Sequence, residues 1–259
     1  MRTAIALLIP LLFSSSLATA EASASGHIEV DDGKIFYESS GEGPVLILMH
    51  DGLVHREIWD HQFSHFAQNY RVIRYDRRGY GKSSPAEGTY SNIDDLSRLY
   101  AVLDVDRACL IGMSSGGALA IDYTLQYPDR VNCLALIGAV VGGFPYTRHF
   151  HQRGGYLPSG LETDESTRAY YAKEDPYTIF RKNEAASRRV TELIEKNPIS
   201  GNRGPSPPRS EEPAYRRLAE IDVPTLIVVG EFDIPDVHAH AGAINAGIVQ
   251  SKRDVIPKS

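Results

Sequence analysis

Leu110-Ile111-Gly112-Met113-Ser114-Ser115-Gly116-Gly117 is the stretch whose reading decides the fold. The apolar run 108–112 leads into it, and a segment with helical spacing, 115–126, leads out. A glycine-x-serine-x-glycine pattern at such a junction implies a very tight bend from strand to helix. Only small residues at Gly112 and Gly116 avoid collision there, and Ser114 at the apex is held in a strained conformation with its hydroxyl lifted into a cleft. The backbone N–H of Ser115 and the helix dipole then face whatever oxygen becomes negative beside that hydroxyl. The plain alternative is a small-residue turn that lets a helix pack closely. The apolar strand before it and the helix after it favour the nucleophile.

Working outward, near-continuous apolar runs recur at 44–50, 70–75, 133–138 and 225–230, with a shorter one at 253–256. Such runs fit strands covered on both faces. Helical spacing occupies 59–68 and 92–103 between them. Two shorter strand-like runs, 27–30 and 34–39, flank the hairpin signal Asp31-Asp32-Gly33. Strand and helix alternate, so the expected class is α/β, a mostly parallel, doubly wound sheet. The alternation breaks after Gly143. Residues 143–220 lack a clear buried strand, contain plausible helices at 165–174 and 179–196, and carry a Gly/Pro/Ser-rich loop at 200–210. They read as a helical cap over the carboxyl edge of a core formed by 27–142 and 221–259, the edge at which open α/β sheets bind ligands.

The chain has 259 residues, 42% hydrophobic and 23% charged, ordinary values for a globular domain. Acidic residues outnumber basic ones 33 to 27, a formal charge of −6. That balance gives no electrostatic reason to expect nucleic acid or an anionic membrane as partner. Arg2, the apolar stretch 5–13 and Ala18-Thr19-Ala20 read as a cleavable export signal over residues 1–20. The apolar run is too short to span a bilayer, so a secreted or periplasmic protein is expected. Cys109 and Cys133 fall in apolar runs taken as neighbouring core strands. Export permits a disulfide, but unpaired buried thiols are the expectation. No zinc-type spacing occurs.

With these pieces together, the chain from about residue 27 onward resembles the α/β-hydrolase superfamily. Residues 45–50 followed by Asp51-Gly52 are similar to the family's strand and oxyanion turn, with Trp59 at a typical distance. Tyr75-Asp76-Arg77-Arg78-Gly79-Tyr80-Gly81-Lys82-Ser83 is similar to its Asp-x-Arg-Gly-x-Gly-x-Ser loop. Residues 223–233 look like the strand that ends in the triad acid. The resemblance implies Ser114 as nucleophile, Asp233 as the acid that orients a histidine, and the backbone N–H groups of Gly52 and Ser115 as oxyanion donors. Asp51 stands where the family usually has Gly or Ala and is expected to point away. His50 is expected to be a structural hydrogen-bonding residue. Glu231 and Asp236 are competing carboxylates, and residues 138–142, the other place for an acid, hold none. Gly81-Lys82-Ser83 is not a phosphate loop, because Asp76 stands where its first glycine is needed.

The branch resembled comprises small esterases, enol-lactonases and related lactone or carbon–carbon hydrolases. It implies cleavage of a small-molecule ester or lactone through an acyl-enzyme, with no metal or organic cofactor. Perhydrolase, amidase and aminopeptidase chemistry stay open. In the family the general base is a histidine after the last strand. Here 254–256 is followed by Pro257-Lys258-Ser259, and none of His27, His50, His55, His61, His65, His149, His151, His238 or His240 holds that place. The chain is therefore expected to stop before its catalytic histidine. A non-catalytic binding protein on the same fold is the rival reading.

Overall fold

The computed structural model describes residues 24–86, 90–148, 150, 183–196 and 212–259. The expected export signal, the helix at 165–174, the start of 179–196, the loop at 200–210, His149 and His151 lie outside these residues.

Eight strands form one sheet. They are β1 (Ala24–Val30), β2 (Gly33–Ser40), β3 (Val45–Met49), β4 (Arg71–Tyr75), β5 (Ala108–Met113), β6 (Val131–Ile137), β7 (Thr225–Gly230) and β8 (Ser251–Ile256). Their order is β1-β2-β4-β3-β5-β6-β7-β8. The β1–β2 hairpin joins antiparallel to β4, and every later pairing is parallel. The sheet is mostly parallel with helices on both faces, as the strand–helix alternation implies, and the architecture is the one implied by the resemblance to the α/β hydrolases.

Alternate residues of one strand feed two different cores, which explains the unbroken apolar runs. Ile47 and Met49 of β3 join Leu110, Ile73 and Tyr75 in the larger core. Helices α2 (Asn92–Val102), α3 (Ser115–Gln126) and α6 (Pro235–Gly247) cover it through Leu96, Leu119 and Ile244. Leu46 and Leu48 point the other way, to Phe63 of α1 (Asp60–Phe66) and to Trp59 in the preceding 3₁₀ turn. Ser91 caps α2 by accepting the Asp94 N–H at 3.1 Å, the arrangement expected of an N-cap serine.

Within 143–220, α4 (Glu184–Lys196) and α5 (Ala214–Arg217) are described. The buried stripe Val190, Leu193 and Ile194 of α4 packs against Val54, Leu53 and Ile58 in a small cluster of its own. Ala214 and Leu218, in contrast, are buried in the main core. Among the described residues no helix is long and apolar enough to cross a membrane.

The structure corrects the reading of the cysteines as free thiols. Cys109 and Cys133 are disulfide-bonded, with Cα atoms 4.6 Å apart. They lie on adjacent parallel strands and are register partners, so their side chains leave the sheet on one face. Spacing along the chain could suggest neighbouring strands but not this register. The bond closes a loop with a sequence separation of 24, for which chain-entropy arguments give about 3 kcal/mol of stabilisation. Denatured, unreduced protein should show no reactive thiol. Reduction should lower the thermal midpoint by about 5–10 °C. Two titratable thiols without reductant would contradict the pairing.

Candidate active site

Ser114 sits between β5 and α3 with φ 51° and ψ −116°, a region that L-residues rarely occupy and that stores about 1–3 kcal/mol of strain. The surrounding bonds hold it there. Its N–H donates to Ile137 O at 3.0 Å, and its carbonyl accepts from Gly117 N at 3.0 Å and Ala118 N at 3.1 Å. The two glycines of the motif have different steric reasons. A Cβ on Gly112 would stand 2.5 Å from Gly116 O, and one on Gly116 would stand 2.5 Å from the carbonyl oxygens of both Met49 and His50. The first turn of α3 therefore touches the exits of β5 and β3 directly. Ser114 is half-buried, and no described residue hydrogen-bonds its hydroxyl.

Gly52 lies across from this turn, 3.4 Å from Ser115 Oγ when measured to the place of its missing Cβ. Ser115 is the first residue of α3, so its N–H has no partner within the helix. The two amides named as oxyanion donors thus belong to segments in close contact. Asp51 turns its carboxylate aside: Oδ1 accepts from Leu53 N at 2.5 Å and Val54 N at 2.8 Å. Burial nevertheless pushes its carboxyl above the usual range, against the pull of those two N–H groups.

His50 is fully buried. Its Nε2 accepts the Arg77 N–H at 3.0 Å, which leaves Nδ1 protonated and donating to Asp51 O at 2.7 Å. Burial, and then the nearby Arg77 charge, hold this imidazole well below the ordinary histidine range. It is a neutral strut under the Asp51–Gly52 peptide.

The 75–83 loop is built around the wholly buried Asp76. Its carboxylate accepts from Arg56 N at 3.0 Å, Arg56 Nη1 at 2.8 Å and Lys82 N at 2.9 Å. A Cβ on Gly81, at φ +52°, would fall 2.2 Å from Asp76 Oδ2, so the turn requires glycine. Arg78 makes a two-pronged pair with Asp95 of α2, both contacts 2.8 Å. Arg77 instead reaches across the β3 exit. Its Nη2 donates to Asp51 O at 2.6 Å and to Ser115 Oγ at 2.9 Å. Sequence reasoning placed Arg77 in the loop and missed this contact; the doubled arginine, of which the loop motif needs one, was the available signal.

Asp233 follows β7 and lies on the other flank of the β6 exit. Its Oδ2 is 3.3 Å from the place of a Cβ on Gly138, the residue after the Ile137 that binds Ser114. Oδ1 accepts from Ile234 N at 2.9 Å. Burial raises its carboxyl above the usual range, opposed by that N–H and by His238. The competing carboxylates are otherwise engaged. Glu231 Oε2 accepts from Lys258 N at 2.7 Å, and the buried Asp236 holds Thr147 N at 2.6 Å and Thr147 Oγ1 at 2.8 Å. The chain from 256 to 259 folds back on this loop, with Phe232 N donating to Ser259 O at 2.7 Å.

No described histidine is hydrogen-bonded to Ser114 or Asp233. His238 Nδ1 meets Arg253 Nη2 at 3.0 Å. His240 is fully buried with Nδ1 accepting Val141 N at 3.1 Å, and burial lowers its pKa. Among the described residues no group of three or more side chains is arranged to hold a metal ion.

The chain belongs to the alpha/beta hydrolase fold family, whose profile matches residues 44–259. It is 28% identical over 168 residues to the uncharacterized hydrolase YraK of Bacillus subtilis, covering 58% of this chain and 62% of that protein. It is 34% identical over 143 residues to a 2-hydroxy-6-oxononadienedioate/2-hydroxy-6-oxononatrienedioate hydrolase of Paraburkholderia phymatum, covering 50% of each. The chain thus spans less than two-thirds of the length of these curated relatives. Among solved structures, Est816, an N-acyl homoserine lactone degrading enzyme, has a TM-score of 0.68 and 25% identity, covering 90% of this chain and 92% of that one.

Two outcomes follow from this geometry. Ser114→Gly should relieve the strained φ, and after the added unfolded-state entropy of glycine the variant should be about 1 kcal/mol more stable. A lower denaturant midpoint would contradict the strain. His50 stays neutral in the fold while the unfolded chain takes up its proton below about pH 6.5, so its contribution to stability is lost as pH falls below that value. Denaturation of His50→Gln should accordingly show a smaller loss of stability between pH 7.5 and 5.5 than the unsubstituted protein.

Proposed function

We propose that this protein is a serine hydrolase that cleaves a small carboxylic ester or lactone through an acyl-enzyme. The observation that carries the reading is the strained, half-buried Ser114, whose hydroxyl no described residue hydrogen-bonds, beside the first amide of α3 and against the Gly52 turn. In this reading Ser114 Oγ bonds to the carbonyl carbon, and the carbonyl oxygen gains negative charge. The N–H groups of Gly52 and Ser115 stabilise that charge. The proton of Ser114 passes to a general base and from there to the leaving alcohol oxygen as the carbon–oxygen bond breaks. Water then attacks the acyl carbon and regenerates the hydroxyl. Asp233, beside the β6 exit, orients the base, an imidazole that is not among the described histidines.

The mature protein acts after export in an oxidising compartment. The leader pattern at 1–20 and the Cys109–Cys133 bond support that assignment. A second reading, a binding protein without turnover, is favoured by one specific observation: no described histidine is hydrogen-bonded to either Ser114 or Asp233.

The test uses the protein expressed from its whole coding frame, with a fluorophosphonate probe and p-nitrophenyl butyrate as substrate. Labelling should map to Ser114 and vanish in Ser114→Ala. Asp233→Asn should lower kcat about a hundredfold or more, the scale of a lost general base. A folded protein that neither labels at Ser114 nor turns over ester would overturn the hydrolase reading in favour of the binding one.

A further inference from the structure

Four arginines are buried near the carboxyl edge of β3 and β4: Arg56, Arg74, Arg77 and Arg78. Three of them meet carboxylates. Arg56 pairs with Asp76 at 2.8 Å, Arg74 with Glu38 at 2.7 Å and Asp60 at 2.6 Å, and Arg78 with Asp95 at 2.8 Å. Arg77 is the exception. It is 8% exposed, yet among the described residues no carboxylate lies within ion-pair distance, and its Nε is buried without a partner. The Asp51 carboxylate is turned to Leu53 and Val54 rather than to this guanidinium. Among the described residues Arg77 thus has no ion pair, only the more distant pull of the Asp51 carboxyl, and a buried cation so weakly paired is costly unless another role offsets it.

Its contacts indicate that role. One nitrogen, Nη2, donates to Asp51 O and to Ser115 Oγ. Asp51 O belongs to the same peptide unit as the Gly52 N–H, and Ser115 carries the other oxyanion amide. The guanidinium therefore ties together the two segments that hold the donors. Asp51 O also accepts from His50 Nδ1 at 2.7 Å, and a carbonyl drawn on by two donors makes the N–H of its own peptide a stronger donor. The face of Tyr80 lies 5.3 Å from the Arg77 guanidinium carbon, and Tyr80 OH donates to Gly52 O at 3.1 Å, fixing the next peptide along.

We propose that Arg77 is a positioning residue of the oxyanion hole: it sets the spacing of the Gly52 and Ser115 amides and, through its positive charge on Asp51 O, polarises the Asp51–Gly52 peptide. This rests on the serine-hydrolase reading above. It differs from the direct donors because the guanidinium acts through them, so its effect falls on the transition state and not on substrate binding. No new covalent step is involved.

The experiment compares the unsubstituted protein with Arg77→Ala, Arg77→Met and Arg77→Lys in p-nitrophenyl butyrate hydrolysis and fluorophosphonate labelling. In Arg77→Ala, kcat and the labelling rate should fall about tenfold to a hundredfold, below the effect of deleting a direct donor, while KM changes by less than about twofold. Millimolar guanidinium chloride should restore part of the rate saturably, whereas urea, its neutral counterpart in shape, should not. If the alanine variant does not fold, the ordering Arg77→Lys above Arg77→Met in kcat carries the same information about charge. Equal rescue by urea and guanidinium, or equal kcat for the lysine and methionine variants, would reduce Arg77 to a space-filling role and overturn the proposal. Labelling at Ser114 that is indifferent to residue 77 overturns it alone. An unsubstituted protein that does not label overturns the hydrolase reading, and this inference falls with it.

Discussion

The contact between the first turn of α3 and the ends of β5 and β3 governs the rest of the site. It exists because Gly112 and Gly116 have no side chains, and a Cβ at either would collide with backbone, which cannot rotate away. With the helix this close, Ser114 takes a positive φ and stays only half-buried. The same closeness places the Ser115 amide beside the β3 exit, where Gly52 follows. The candidate nucleophile and candidate donors thus have a common steric origin in one tight bend between strand and helix.

A bend under strain needs rigid surroundings, and the polar residues around it supply them. Asp76 gathers Arg56 and Lys82 and so shapes the loop after β4. That loop carries Arg77, whose Nη2 donates to Asp51 O and whose backbone N–H donates to Nε2 of His50, the residue that in turn donates to Asp51 O. The chain of dependence runs from a wholly buried carboxylate, through a loop glycine at φ +52°, to the orientation of one peptide plane. Removing one partner would leave a buried charge or a buried donor unsatisfied, a far larger loss than the net worth of any single bond.

Much of this was legible in the sequence where a local rule had one physical solution. The unbroken run at 45–49 could only be a strand buried on both faces, since Leu46 and Leu48 enter one core and Ile47 and Met49 the other. The bend at Ser114 was legible because its glycines serve contacts close in space to their own turn. The disulfide was not, because pairing Cys109 with Cys133 depends on the register of two parallel strands, which a 24-residue connection leaves open. Nor was the role of Arg77, since a loop arginine reads as solvated until the fold buries it and takes its carboxylates elsewhere. Asp236 is a further case: near Asp233 in sequence, it is consumed by Thr147, a partner 89 residues away.

The helix α4 extends this logic to the segment above the sheet. Its apolar stripe does not rest on the main core but on Leu53 and Val54, which follow Gly52 directly, and on Ile58. Arg189 of the same helix binds Asp60 and the carbonyl of Glu57, and Asp60 in turn holds Arg74. The Asp51–Gly52 turn is therefore held on two sides, by His50 and Arg77 toward the sheet and by α4 on the chain that follows. Any displacement of α4 must either expose Val190, Leu193 and Ile194 to water or carry residues 53–58 with it. Since Leu53 and Val54 N–H groups are fastened to Asp51, motion of that segment transmits to the peptide that bears the Gly52 amide. The helix and the candidate oxyanion donor are mechanically one unit.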